Sequence, residues 1–335
     1  MSKHMIAGIV HAGLAAALLA GCQVQPKESP VDRAAVRELV GKIGADVQGI
    51  EERTLRLAQD TVRTYVEADA LVAQVDTNRY KFTPEGCYYK AVDDGGPALW
   101  VSGVLPVDLT VQRVAWATEG IDESLRAILR DMPAVTQAYY NDKHSLNRIY
   151  PPFDVLSQYE PKMDIPSFNF YYLADGQHNP ERKSVWVDEP YVDPAGRGWM
   201  VSCIAPVYLQ DDLQGVVGLD VTVSGIVENY LQPAGRAWAL VDRKGTIVAA
   251  TEVAIEVLGM PPLTDHRYIN TVKSDRYRSE DYNILQSPDA RVRDLAAAVL
   301  QQGRQQTTLK TPKGRRLVLA EFVPSLGWTA LLVAD

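Results

Sequence analysis

The sequence predicts an α+β protein: a long N-terminal helix followed by two modules, each an antiparallel sheet flanked by helices. Three observations carry that expectation. A length of 335 residues with 46% hydrophobic and 23% charged content is enough for two modest cores. Apolar residues from Val36 to Val66 recur at three- and four-residue steps, with Glu38, Lys42, Asp46, Glu51 and Glu52 between them, which is the period of an amphipathic helix. Extended runs at 185–192, 199–209 and 216–223 are punctuated by Asp193-Pro194-Ala195-Gly196 and by Gly215, the spacing of an antiparallel meander.

The chain opens with Lys3, an apolar stretch from Ile6 to Ala20, and Leu19-Ala20-Gly21-Cys22. This resembles a bacterial lipoprotein signal: residues 1–21 would be removed and Cys22 lipidated. A membrane-spanning helix is the alternative, but about 15 apolar residues are short for a bilayer core of roughly 30 Å. Gln23, a residue other than Asp beside the cysteine, implies by the same resemblance an outer-membrane address facing the periplasm. Residues 22–31 read as a lipid-bearing tether and 32–74 as the spine helix, which packs on its own chain or forms a coiled-coil seam. Its drift from strict heptads after Ile50 favours the first.

A first module is expected over 75–230. Strands at 87–92 and 98–102 flank Asp93-Asp94-Gly95-Gly96, helical spacing runs from Asp108 to Leu129, and Val135–Asn141 pairs with Leu146–Tyr150. Residues 151–180 read as a long irregular loop bearing Phe168, Phe170, Tyr171 and Tyr172, either an aromatic lid or a small core under a loop. Gln232-Pro233-Ala234-Gly235 marks the boundary to a second module, 231–335, with strands at 237–241, 246–250, 307–310, 317–322 and 328–333 and a helix at 288–300. Residues 254–285 carry no clear pattern.

Apolar residues dominate both parities of Met200–Val207 and Val216–Val223, so these strands should be covered on both faces. That makes their polar exceptions informative. Tyr191 and Asp193 share one face of their strand, and Asp220 ends the third run. A buried carboxylate is costly unless paired. A ligand bearing a protonated amine would pair both, with the aromatic ring adding a cation–π contact. Against this stands a plainer reading, in which Asp193 before Pro194 opens a β-turn and Asp220 accepts bonds from backbone amides.

The pattern Trp186, Glu189-Pro190-Tyr191-Val192-Asp193, Ala205-Pro206-Val207-Tyr208 and Gly215-Val216-Val217-Gly218-Leu219-Asp220 resembles the double Cache family of extracellular sensor domains, with PAS-like modules, over residues 31 to 335. The resemblance implies that Tyr191, Asp193 and Asp220 hold a ligand's amino group. An upstream arginine and tryptophan two residues apart would hold its carboxylate. Here that element is broken, and Arg182 and Trp186 are its nearest match. The hairpin 135–150 faces the pocket in this fold, which brings in Arg148 as a substitute clamp with Tyr140 and Tyr150, while Tyr172 belongs to the lid.

The implied function is a lipid-anchored envelope sensor that recognises an amino acid or simple amine and signals through a membrane partner, a kinase or a cyclic-nucleotide enzyme, because the sequence carries no transmembrane helix or signalling module after its last strand. The alternative is an interaction lipoprotein with a vestigial pocket. A formal charge of −8, a pI near 5.3 and no basic run longer than Lys313-Gly314-Arg315-Arg316 argue against a nucleic-acid partner. No cofactor or metal motif is present, His144, His178 and His266 are widely spread, and nothing matches a nucleophile elbow or P-loop, so no enzymatic activity is expected. Cys87 and Cys203 read as free apolar cysteines.

Overall fold

A computed structural model of the chain describes residues 29–195, 197–261 and 279–334. The expected signal peptide, Cys22 and His266 lie outside the described residues. Helix α1, Pro30–Val66, starts two residues ahead of the expected Asp32, because the Ser29 side chain accepts from Val31 N and Pro30 occupies the first turn. Its 37 residues make a rod of about 55 Å. One stripe, Val36, Leu39, Ile43, Val47, Ile50 and Leu57, is buried. Thr54 and Thr61 sit in that stripe without an orphaned hydroxyl, since each bonds the carbonyl four residues back.

The chain continues with α2 (Ala68–Val72), β1 (Tyr80–Phe82), β2 (Tyr88–Lys90), β3 (Ala98–Val101), α3 (Leu109–Ala117) and α4 (Asp122–Asp131). The helix expected over 108–129 is therefore broken by a 3-10 turn at Thr118–Ile121, where Gly120 lies so near Thr64 and Leu71 that a Cβ would crowd them at 3.1–3.2 Å. Strands β4 (Gln137–Asp142) and β5 (Leu146–Tyr150) follow, then short helices α5 (Val155–Gln158) and α6 (Asn169–Tyr172) within the long loop. The meander is β6 (Val185–Val192), β7 (Trp199–Leu209) and β8 (Asp212–Thr222). Its last strand begins four residues before the expected Val216, because the tight turn at Gln210-Asp211 pairs Leu209 with Asp212.

These strands form one antiparallel sheet, ordered β1-β2-β3-β5-β4-β8-β7-β6. Helix α7 (Val223–Ile226) leads to a second sheet, β10-β9-β13-β12-β11, from β9 (Ala237–Val241), β10 (Ile247–Ala250), β11 (Gln306–Thr311), β12 (Gly314–Val323) and β13 (Trp328–Val333), flanked by α8 (Glu252–Leu258) and α9 (Ala290–Ala296).

The expected two-sided burial of the meander has a specific cause. One face of the large sheet, through Val201, Cys203, Ala205, Val217 and Leu219, packs under α1; the other, through Ile204, Val216, Tyr139 and Ile149, is covered by Val155, Tyr159, Ile165 and Phe170 of the long loop. The α1-side core runs without a break onto Leu319, Trp328 and Leu332 of the small sheet, so one helix serves both. Cys87 and Cys203 are both free and buried, and burial pushes the Cys203 thiol up to about 12.

Candidate functional site

Strand alternation decides which side chains meet between the large sheet and the long loop. Register pairs Gln137 with Asp220, Ser202 with Asp220, Tyr139 with Ile149 and Asn141 with Asn147. All of these face the loop. All but Ser202, together with residues of the long loop such as Tyr159, Met163 and Phe170 and with Tyr191 and Asp193, line a cavity of about 20 Å³, room for one water molecule.

At its floor, Asp220 accepts from Ser202 Oγ and Gln137 Nε2, both at 2.5 Å, and the Tyr191 hydroxyl lies 2.6 Å from Ser202 Oγ. Asp193 follows the end of β6, where its Oδ1 accepts from Ala195 N at 2.9 Å and its Oδ2 from Arg197 N at 3.1 Å. The plainer reading of Asp193 as a turn-forming aspartate is thus correct as local structure. Asp220 differs, because its partners are side chains. Both carboxyls are buried, at 3% and 1% exposure. Burial, then the negative charge of Asp193, pushes Asp220 up to about 8. Asp193 is also raised by burial, held back by its two backbone donors.

Gln137 Oε1 is buried without a bonding partner, and Tyr139 Oη, also buried, makes no hydrogen bond of good geometry although it faces the Ser202 and Tyr191 hydroxyls. An orphaned amide oxygen and a hydroxyl able to accept, beside two carboxyls, form a surface that suits a donor of several hydrogen bonds. Phe170 completes the wall, with its ring centroid 5.5 Å from that of Tyr191 and 6.1 Å from that of Tyr139. No lysine or arginine lines the cavity among the described residues. Arg197 stands behind it, Nη2 bonded to Pro151 O at 3.0 Å and Nε buried without a partner.

Of the nine residues singled out from sequence, Tyr191, Asp193 and Asp220 are brought together, and the other six lie elsewhere. Tyr140, Arg148 and Tyr150 share the strand parity that faces α1. Tyr140 Oη meets Tyr65 Oη at 2.5 Å, and Tyr150 packs against the α1-side core. Arg148, with no exposed surface, donates to Asp122 Oδ1 at 2.7 Å and Ala115 O at 2.6 Å, so it is no clamp for a ligand. Trp186 donates to Glu51 Oε1 of α1 at 3.0 Å. Arg182 pairs with Asp211 at 3.0 Å over the Tyr208 ring, and Tyr172 lies at the surface against His178. The sequence does not point to Gln137, Tyr139, Ser202 or Tyr159, and it offers Phe170 only as one of the aromatic residues of the long loop. Parity relative to Asp220 points to Gln137 and Ser202 only once the pairing register is known.

A larger cleft of about 560 Å³ separates the two sheets, between Trp199, Val223 and Val227 on one side and Ile247, Val248 and Ala250 on the other. Its carboxylates, Glu228 and Glu252, are exposed, and none of its lining residues carries a buried orphaned polar atom among the described residues. The small cavity is therefore the better candidate despite its size.

Comparison with solved structures bears on the architecture. The ligand-binding domain of the Pseudomonas aeruginosa PAO1 amino acid chemoreceptor PctB, in complex with L-Arg, is similar with a TM-score of 0.50 at 14% identity, covering 91% of this chain and 94% of that one. A structure described as methyl-accepting chemotaxis protein X gives 0.50 at 13% identity, covering 90% and 95%. The chain has the double Cache fold. At such identity the likeness shows the fold of this double Cache chain and nothing of its ligand. No protein-family model matches it, and no curated protein does.

Proposed function

We propose that this double Cache chain is a lipid-anchored envelope sensor that binds a small amine-bearing metabolite in its larger module, residues 75–230, and passes the event to a membrane signalling protein, a kinase or cyclic-nucleotide enzyme. The observation that carries the proposal is the juxtaposition of Asp220 and Asp193 with the unpartnered Gln137 Oε1 and with the Tyr139 hydroxyl inside an aromatic wall. An ammonium group presents three donors and one positive charge, which matches that set. A lining without Lys or Arg favours an amine over an amino acid. Arg197 Nε is the group placed to meet a carboxylate if one is present. The similar structures are sensor domains and not enzymes, which supports a non-enzymatic role. The Leu19-Ala20-Gly21-Cys22 element supports the anchor and a periplasmic, outer-membrane address.

Because the cavity has room for one water only, Tyr159, Met163 and Phe170 of the long loop must move aside for any larger guest. The small cavity also favours the second reading, an interaction protein whose pocket no longer opens. Thermal-shift screening against amino acids and their decarboxylated amines separates the two. A ligand at 100 times its dissociation constant adds about 2.7 kcal/mol. A shift lost in Asp220→Asn supports the sensor; no shift with any compound leaves the interaction protein.

A further inference from the structure

The smaller sheet carries a basic hairpin that the ligand site does not use. From Leu295 to Ala320 the chain holds Arg304, Lys310, Lys313, Arg315 and Arg316 and no carboxylate, in a protein of formal charge −8. Strands β11 and β12 pair Lys310 directly with Arg315, across a turn that contains Lys313. Like charges placed opposite each other destabilise a strand pair, so an arrangement of this kind is better satisfied by an external anion. A lysine on an edge strand also blocks edge-to-edge pairing, but Lys313 lies in the turn and Arg315 on the inner strand, where that device is not needed.

Position supplies the second argument. Strand β10 borders the larger module, across the cleft lined by Trp199 and Val223, and β11 is the opposite edge of the sheet. The first turn of α1 crosses this sheet, since Arg33 Nη2 donates to Gln305 O at 3.3 Å just ahead of β11 while Asp32 pairs with Arg236 just ahead of β9. The seven residues from Cys22 to Glu28 span at most about 25 Å when extended. A lipid on Cys22 would therefore bring a bilayer to the small sheet, within reach of its β11–β12 hairpin, and not to the sensor pocket.

We infer that the β11–β12 hairpin, through Lys310, Lys313 and Arg315, docks on an anionic phospholipid surface and fixes how the anchored protein stands on the membrane. It rests on the proposed lipid anchor only for what brings the bilayer near. Each cation at such a surface is worth about a fivefold gain in binding.

The test uses the full chain reconstituted on vesicles of phosphatidylcholine alone or with one quarter phosphatidylglycerol, reading amine-reagent labelling of individual lysines by mass spectrometry. Labelling of Lys310 and Lys313 should slow about fivefold or more on the anionic vesicles, while exposed Lys81 of the larger module stays constant. About 0.5 M salt should restore the rate. The variant Lys310→Gln/Arg315→Gln, which keeps the exposed Lys313 as reporter, should lose the protection. Equal Lys313 labelling on both vesicles overturns the docking, and so does equal protection by inorganic phosphate on neutral vesicles. Failure to stay on neutral vesicles would count against the anchor alone, because the anionic dependence is read separately.

Discussion

Asp220 concentrates the chemistry of the site. Its pKa of about 8 lies above the usual aspartate value, so between about pH 4 and 8 the folded state holds a proton that the unfolded chain has released. The ligand-free protein should therefore lose stability as pH rises through that window, by up to about 1.4 kcal/mol per unit. Asp220→Asn should remove this slope, which melting curves at pH 5 and 8 will show. An ammonium guest needs the ionised carboxylate. Affinity should thus rise about tenfold per pH unit from 6 toward 8 and flatten above it, as read by titration calorimetry. A flat profile would mean that Asp220 does not contact the amine. In Asp220→Asn the binding should fall by at least about a hundredfold, the loss of a charged hydrogen-bonded contact of about 3 kcal/mol. Asp193 was legible in the sequence as either a turn residue or a ligand contact. The structure gives it the turn bonds and still leaves it beside the cavity.

At the level of elements, one residue of strand alternation separates the cavity face from the helix face. Gly218 on β8 lies opposite Tyr139 on β4, and a Cβ there would meet the Tyr139 ring at 2.2 Å. Glycine is what lets that ring lie across the strand and close the pocket wall. Gly218→Ala should cost about 1–3 kcal/mol through overpacking and weaken binding by displacing Tyr139. Denaturant melts and ligand titration of the one variant test both. On the other face, Arg148 and Asp122 form a buried pair. Arg148→Met leaves Asp122 without its partner and should destabilise by about 3–5 kcal/mol. Ligand affinity should persist at low temperature, because the side chain points away from the pocket. Loss of affinity in the still-folded variant would return Arg148 to the site. The apolar parity of the meander predicted two covered faces; which face lines the cavity depended on β4 and β5, whose polar residues occur on both.

For the whole molecule, α1 is the common wall of both cores. Ile43 and Leu57 belong to one continuous cluster that reaches Trp328 on the small sheet and Val201 on the large one. Ile43→Ala should cost about 2–5 kcal/mol. Calorimetry should show a single transition moving down, not a split into two, because the helix belongs to both modules. The helix could be read from its three- and four-residue apolar steps, and so could the two strand-rich segments, since each rests on local periodicity or turn chemistry; the resemblance rested instead on the motif from Trp186 to Asp220. The coiled-coil alternative needed the packing itself: the same stripe suits a second helix or two sheets, and here it meets Leu319 and Leu219 of its own chain.

What the sequence by itself determined is therefore local: the amphipathic helix, the meander, and three of the residues that line the cavity. The tertiary structure alone decided that Gln137, Tyr139 and Ser202 join them, that Arg148 and Tyr140 turn away, and that a long loop seals the space. Pairing register and loop path are long-range properties, and a shift of one residue exchanges the two faces of a strand without changing its composition.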